Sequence, residues 1–205
     1  SVMGATKRIA ESYCQALDLQ QGKNGKDSTR FVTVRFGNVL GSTGSVVPLF
    51  QRQLAEGGPI TVTHPDMTRF FMTVREAVEL VLQASTLDQS YGGGDGKIFV
   101  LDMGDPIRIM DLAKQMIRLA GLRPEHDIKI DIIGIRPGEK LFEEIFHGTE
   151  PLLATQSPGI LLAMPRPGSF DDLLPALAEI KDACRTNNTS EVQNILLRLI
   201  PEYQK

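Results

Sequence analysis

Residues 30–48 read Arg30-Phe-Val-Thr-Val-Arg-Phe-Gly-Asn-Val-Leu-Gly-Ser-Thr-Gly-Ser-Val-Val-Pro48, an apolar, β-branched run that stops abruptly in glycines and small polar residues. Phe31 to Phe36 has the composition of a buried strand. Gly37, Gly41 and Gly44 then let the backbone turn sharply or approach a ligand closely. Open α/β sheets bind ligands just beyond the carboxyl ends of their strands, so the stretch reads as a strand feeding a ligand loop. Asn38 sits where its amide can donate to a phosphate or to a nicotinamide carboxamide; the alternative is a glycine-rich turn in which Asn38 satisfies local backbone.

Upstream, Met3 to about Gln20 reads as a helix with Ala5, Ile9, Ala10, Tyr13, Cys14 and Leu17 on one apolar stripe. Val2 leads straight into it with no preceding strand, so the chain is expected to begin in the middle of a fold. Downstream, Pro48 opens a short helix ending near Gly57-Gly58, and Ile60 to Thr63 is a short strand. Thr73 and Glu76 form a capping box for a helix that carries Ala77, Val78, Val81 and Ala84. Gly92 to Gly96 is a surface loop before the strand Lys97 to Leu101. A helix from about Met110 to Ala120 presents Leu112, Ala113, Met116 and Ile117, and Gly121 stops it. Ile128 to Ile133 reads as a half-buried strand, Arg136-Pro-Gly-Glu-Lys140 opens a helix through Phe146, and Gly159 to Ala163 is a last apolar strand. Two helices, near Phe170 to Cys184 and Ser190 to Ile200, close the chain.

The 205 residues suffice for one large domain or two small ones. A hydrophobic share of 41% and a net charge of −3 describe an ordinary globular chain with no electrostatic call on nucleic acid or an anionic membrane surface. Any anionic ligand must therefore be held by local groups. Cys14 and Cys184 stand alone, which fits reduced thiols in a cytoplasmic setting, and His64, His126 and His147 are too scattered for a metal site. No apolar run approaches the ~18 residues of a membrane span.

Met3 and Lys7 lie four apart and share one helix face. Together, Val2 to Glu11, Val34 to Gly41, Thr68-Arg-Phe-Phe-Met72 and Arg136 to Lys140 resemble, in matching order, the polysaccharide-biosynthesis (CapD-like) nucleotide-sugar 4,6-dehydratases of the extended short-chain dehydrogenase/reductases. The likeness runs through nearly the whole chain but covers only the later half of such an enzyme. The family's glycine-rich dinucleotide fingerprint has no counterpart here. The resemblance implies an α/β fold: the later half of a doubly wound Rossmann-type parallel sheet plus a small α/β substrate-binding domain. Residues 1–45 and 72–127 would be the remnant of the NAD(P)-binding Rossmann domain, and 46–71 with 128–205 the UDP-sugar-binding region.

In most of that superfamily the position of Met3 is a proton-transferring tyrosine whose pKa the following lysine depresses. A thioether can do neither half of that task, and the long, membrane-anchored dehydratases resemble this chain in carrying methionine there. The resemblance places Met3 and Lys7 at the catalytic centre. It also implies a nicotinamide cofactor, NAD or NADP, against Lys7, Phe36, Gly37, Asn38 and Val39. For the UDP-sugar substrate it implies Asn38, Val46, Thr61, Val62, Arg69, Arg136 and Glu139. An arginine fork suits a phosphate, and a carboxylate three residues on can accept from ribose hydroxyls. The plainer reading has Pro137 start a helix whose dipole Glu139 complements.

The expected whole-protein activity is NAD(P)-dependent dehydration of UDP-N-acetylglucosamine to a 4-keto-6-deoxy sugar nucleotide. Hydride leaves C4, water is lost across C5 and C6, and hydride returns to C6. Alternatives are a UDP-sugar C4 epimerase, against which Met3 argues, and a UDP-sugar-binding module without turnover. The long-form resemblance further implies a cytoplasmic segment of an inner-membrane-anchored protein. Uncovered sheet edges and apolar helix faces imply a homo-oligomer.

Overall fold

A computed structural model describes residues 1–22, 29–90, 96–143, 151–163, 169–200 and 203. In chain order the elements are α1 (Val2–Gly22), β1 (Thr33–Arg35), β2 (Asn38–Val39), α2 (Val46–Ala55), β3 (Ile60–Val62), β4 (Thr68–Arg69), β5 (Phe71–Met72) and α3 (Val74–Ser90). They continue with β6 (Ile98–Leu101), β7 (Ile107–Arg108), α4 (Ile109–Leu119), β8 (Ile130–Ile132), β9 (Leu152–Ala154), β10 (Ile160–Ala163), α5 (Phe170–Arg185) and α6 (Thr189–Leu199). The chain is α/β, as the sequence implies, and divides into two compact units. One holds Ser1–Val34, Gln83–Val100 and Thr149–Lys205, the other Arg35–Leu82 and Leu101–Gly148. No helix among the described residues is long and apolar enough to cross a membrane.

The first unit is built on a four-stranded sheet in the order β1-β6-β10-β9. Ile98, Phe99 and Val100 of β6 are fully buried, as an internal strand covered on both faces must be. The hairpin partner β9 was not foreseen; it pairs antiparallel with β10, Leu162 opposite Leu153. Ala5 and Ile9 of α1 pack with Leu196 of α6, Ile200 and Tyr203, while Ala10, expected on the apolar stripe, is exposed.

Buried Asp18 on α1 shortens β1 relative to the expected strand from Phe31 to Phe36. Its carboxylate takes two guanidinium hydrogen bonds from Arg30, at 2.8 and 2.7 Å, and the backbone N–H of Phe31 at 2.9 Å. The Phe31 amide thus bonds to a side chain instead of a strand neighbour. Only Thr33 to Arg35 pairs, half-buried.

The second unit packs α2, β3, α4 and β8 around Phe50, Ile60, Val62, Met67, Ile109, Ala113, Ile117, Ile128 and Ile130. Its short strands form separate pairs: β2 with β5 and β3 with β8 in parallel, β4 with β7 antiparallel. The parallel pairing of β2 with β5 brings Phe70 so close that a Cβ on Gly37 would meet the Phe70 Cβ at 2.7 Å and its carbonyl oxygen at 2.9 Å. Close backbone approach, more than turning, is what this glycine permits.

Two helix expectations change. On α3, Thr73 and Glu76 form the capping box, the Glu76 carboxylate accepting the Thr73 N–H at 2.6 Å while the Thr73 hydroxyl accepts the Glu76 N–H at 3.2 Å. The buried stripe, however, is Leu80, Ala84 and Leu87; Val78 and Val81 are about half exposed. After Arg136 there is no helix through residue 143, and residues 144–146 lie outside the described part. Gly138 has φ +78°, outside the helical region, so the segment closes as a turn in which the Glu139 N–H donates to the Arg136 carbonyl at 3.0 Å.

Candidate functional site

A cleft of about 270 Å³ opens in the second unit where β2, the start of α2, β3, β4 and the turn after β8 converge. Asn38, Val46, Thr61, Val62, Arg69, Arg136 and Glu139, the residues implied for a UDP-sugar, all line it. Phe36, Gly37 and Val39 do not line it: Phe36 is partly exposed, and the Gly37 N–H donates to Met103 Sδ at 3.1 Å. Met3 and Lys7 belong to the first unit, on α1, and both are exposed.

One end of the cleft is the N-terminus of α2, where Gly44, at φ +75°, and Ser45 deliver the chain into the helix. Ser45 is the N-cap residue but makes no side-chain cap, and among the described residues its buried hydroxyl has no hydrogen-bond partner. Helix geometry leaves the first-turn amides of Val46 and Val47 without intrahelical acceptors. Free amides, the positive end of the helix dipole and an unsatisfied hydroxyl together suit an anionic oxygen.

The two arginines of the cleft differ in state. Arg69 uses its fork on backbone: Nη1 donates to the Thr68 and Leu141 carbonyls at 2.6 and 3.2 Å, and Nη2 to the Lys140 carbonyl at 2.8 Å. It also lies 3.8 Å from Glu139 Oε1. Arg69 therefore fastens the 136–141 turn onto β4. Arg136 is exposed at the mouth and its guanidinium makes no ion pair or hydrogen bond among the described residues. Glu139 faces inward, accepting the Arg136 backbone N–H at 3.1 Å and the Thr63 hydroxyl at 3.3 Å.

The Asn38 amide is occupied. Its Nδ2 donates to the Phe70 carbonyl at 3.1 Å and to Glu143 Oε2 at 3.0 Å, and the same carboxylate oxygen accepts the Phe70 N–H at 3.3 Å. This is the alternative in which Asn38 serves local backbone, joined by Glu143, a residue the sequence did not single out. Ser45, Thr63 and Met67 are further lining groups that the sequence reading missed. Ser45 alone carried a signal, as a cap-type residue just before the helix.

A family model described as "Polysaccharide biosynthesis protein" matches residues 1–165. Capsular polysaccharide biosynthesis protein CapD of Staphylococcus aureus is 58% identical over 150 residues, which cover 73% of this chain and 23% of that protein. A UDP-glucose 4-epimerase of Rickettsia bellii is 32% identical over 97% of this chain and 58% of its own length. Among solved structures, Pen from Bacillus thuringiensis superposes with a TM-score of 0.64 at 36% identity, covering 81% of this chain and 48% of that one. The chain thus spans between about a quarter and somewhat over half of the proteins it resembles.

Proposed function

The chain belongs to the polysaccharide biosynthesis protein family, and on that footing we propose that it is the nucleotide-sugar-binding part of a UDP-N-acetylglucosamine 4,6-dehydratase that uses NAD or NADP. The observation that carries the proposal is the cleft in which the α2 N-terminus, the Arg136 guanidinium, unpaired among the described residues, and Thr61 and Val62 of β3 meet. The helix amides, the Ser45 hydroxyl and Arg136 hold the diphosphate. Thr61 and Val62 flank the uracil. Arg69 and Glu139 keep the turn that carries Arg136 in place, which makes them positioning groups in the structure as it stands.

Lys7 is exposed on α1 with no ion pair among the described residues, so its ammonium is free to hold a nicotinamide ribose. Of the other implied cofactor contacts, the Gly37 N–H and the Asn38 amide are already bonded within the protein. The dinucleotide, when bound, would accept and return hydride. Met3, one turn from Lys7 and well exposed, contributes contact and no proton.

A second reading, a UDP-sugar C4 epimerase, is favoured by the Rickettsia relative, which matches nearly the whole chain. Met3 in the tyrosine position opposes it. The two differ in product. The full-length protein, given UDP-N-acetylglucosamine and NAD or NADP, is expected to yield a product lighter by one water with a 4-keto group. An unchanged mass with an inverted C4 would establish the epimerase instead, and binding without product would reduce the chain to a recognition module.

A further inference from the structure

Gln53, on α2 outside the cleft lining, makes a two-way contact with Thr61, which lines it. The Thr61 backbone N–H donates to Gln53 Oε1 at 3.1 Å, and Gln53 Nε2 donates to Thr61 Oγ1 at 2.8 Å. The pair fixes its own orientation. Turning the amide over would set its NH2 against a backbone N–H, trading the Thr61 N–H bond for a donor–donor clash, so the observed orientation is held. Thr61 Oγ1 must therefore accept from Gln53, and its own hydrogen has no acceptor in the protein among the described residues. A hydroxyl anchored in this way keeps its hydrogen available to donate to a ligand.

We propose that Gln53 is a positioning residue for base selection: through Thr61 it presents a hydrogen-bond donor that the 4-carbonyl of uracil accepts and the 4-amino group of cytosine does not. This rests on the reading of the cleft as a nucleoside-diphosphate site. Thr61 is the middle residue of β3, whose backbone partner on one side is β8, with Thr61 opposite Asp131. The Gln53 contact falls on the other edge. The Gln53 side chain thus takes the place of a neighbouring strand at Thr61 and, in the same contact, sets the direction of the hydroxyl.

Gln53→Glu is the informative variant because it keeps the shape and still accepts the Thr61 N–H. A carboxylate cannot donate, so the Thr61 hydroxyl turns to donate to it and shows the cleft an acceptor instead. Calorimetric titration of the full-length protein with UDP and with CDP reads the outcome as a ratio, which cancels any general effect of the added charge on the diphosphate. The expected result is native preference for UDP, reduced about tenfold by Gln53→Glu, a change of the size one hydrogen bond gives. In the Thr61→Val background the same Gln53→Glu change should leave the ratio where Thr61→Val alone puts it. A ratio unmoved by Gln53→Glu, with UDP binding intact, overturns the proposal and leaves the cleft assignment standing. An equal shift in the Thr61→Val background overturns the route through the hydroxyl. Failure of the native protein to bind either nucleotide overturns the cleft assignment and this proposal together.

Discussion

Asp18 and Arg30 meet as a two-pronged ion pair, Nε and Nη2 of the arginine donating to separate carboxylate oxygens at 2.8 and 2.7 Å. The Gly96 N–H adds a bond to Oδ2 at 3.1 Å, so one buried carboxylate joins α1, the approach to β1 and the approach to β6. Burial alone would raise its pKa. The Arg30 hydrogen bonds, the Phe31 and Gly96 amides and the Arg30 charge outweigh that and hold it below the ordinary 3.8.

Asp18→Asn should therefore destabilise the protein by about 2–4 kcal/mol at neutral pH, since it removes the buried charge that Arg30 and two backbone amides hold and turns an acceptor into a donor. Because the folded pKa is the lower one, this stabilisation is complete above the unfolded value and is lost as pH falls through the folded value. Thermal melts of native and Asp18→Asn protein from pH 7 down to about 2 should converge at the acid end. A gap that persists undiminished at low pH would show that the carboxylate charge is not the stabilising feature.

Gly37→Ala should cost about 1–3 kcal/mol, because the new methyl meets the Phe70 Cβ at 2.7 Å and its carbonyl at 2.9 Å, where backbone cannot yield. Denaturant unfolding would report it as a lower midpoint at unchanged slope. A neutral substitution would mean that β2 and β5 are free to separate.

Arg136→Ala should weaken UDP binding by about 1.5–3 kcal/mol, the worth of a charge-assisted hydrogen bond, and by clearly more than Lys140→Ala. The basis is the free guanidinium at the cleft mouth. Titration calorimetry on both variants compares them directly. Equal losses would assign Arg136 only to general positive charge.

Met3→Leu should keep most of the activity of the full-length protein, since a thioether moves no protons, whereas Lys7→Ala should lose at least about a hundredfold in rate by removing the charge proposed to hold the nicotinamide ribose. Steady-state rates decide between them. An inactive Met3→Leu protein beside an active Lys7→Ala protein would reverse the two roles.

What the sequence disclosed about the cleft was carried by residues whose chemistry is legible alone: arginines, a strand with hydroxyls, and a glycine-rich approach to a helix. The residues it concealed act by convergence. Glu143 reaches Asn38 across 105 positions, and nothing near either one announces the other. Asp18, which the sequence did not single out, is buried where Arg30 returns to it. The turn after Arg136 was read as a helix because Pro137 and Glu139 suit a first turn equally well, and the left-handed conformation of Gly138 is what separates the two. On α3 the apolar residues outnumber those the unit buries, so periodicity alone selected the wrong valines.

The division of labour between the two arginines bears on ionic strength. Arg69 is tied to three backbone carbonyls by direct hydrogen bonds, which mobile ions barely screen. Arg136 offers its charge from the surface, where the Debye length shrinks from about 10 Å at 0.1 M salt to about 3 Å at 1 M. Rising salt thus weakens the capture of an anion at the mouth while leaving the turn that presents Arg136 in its place, so the site loses reach before it loses shape.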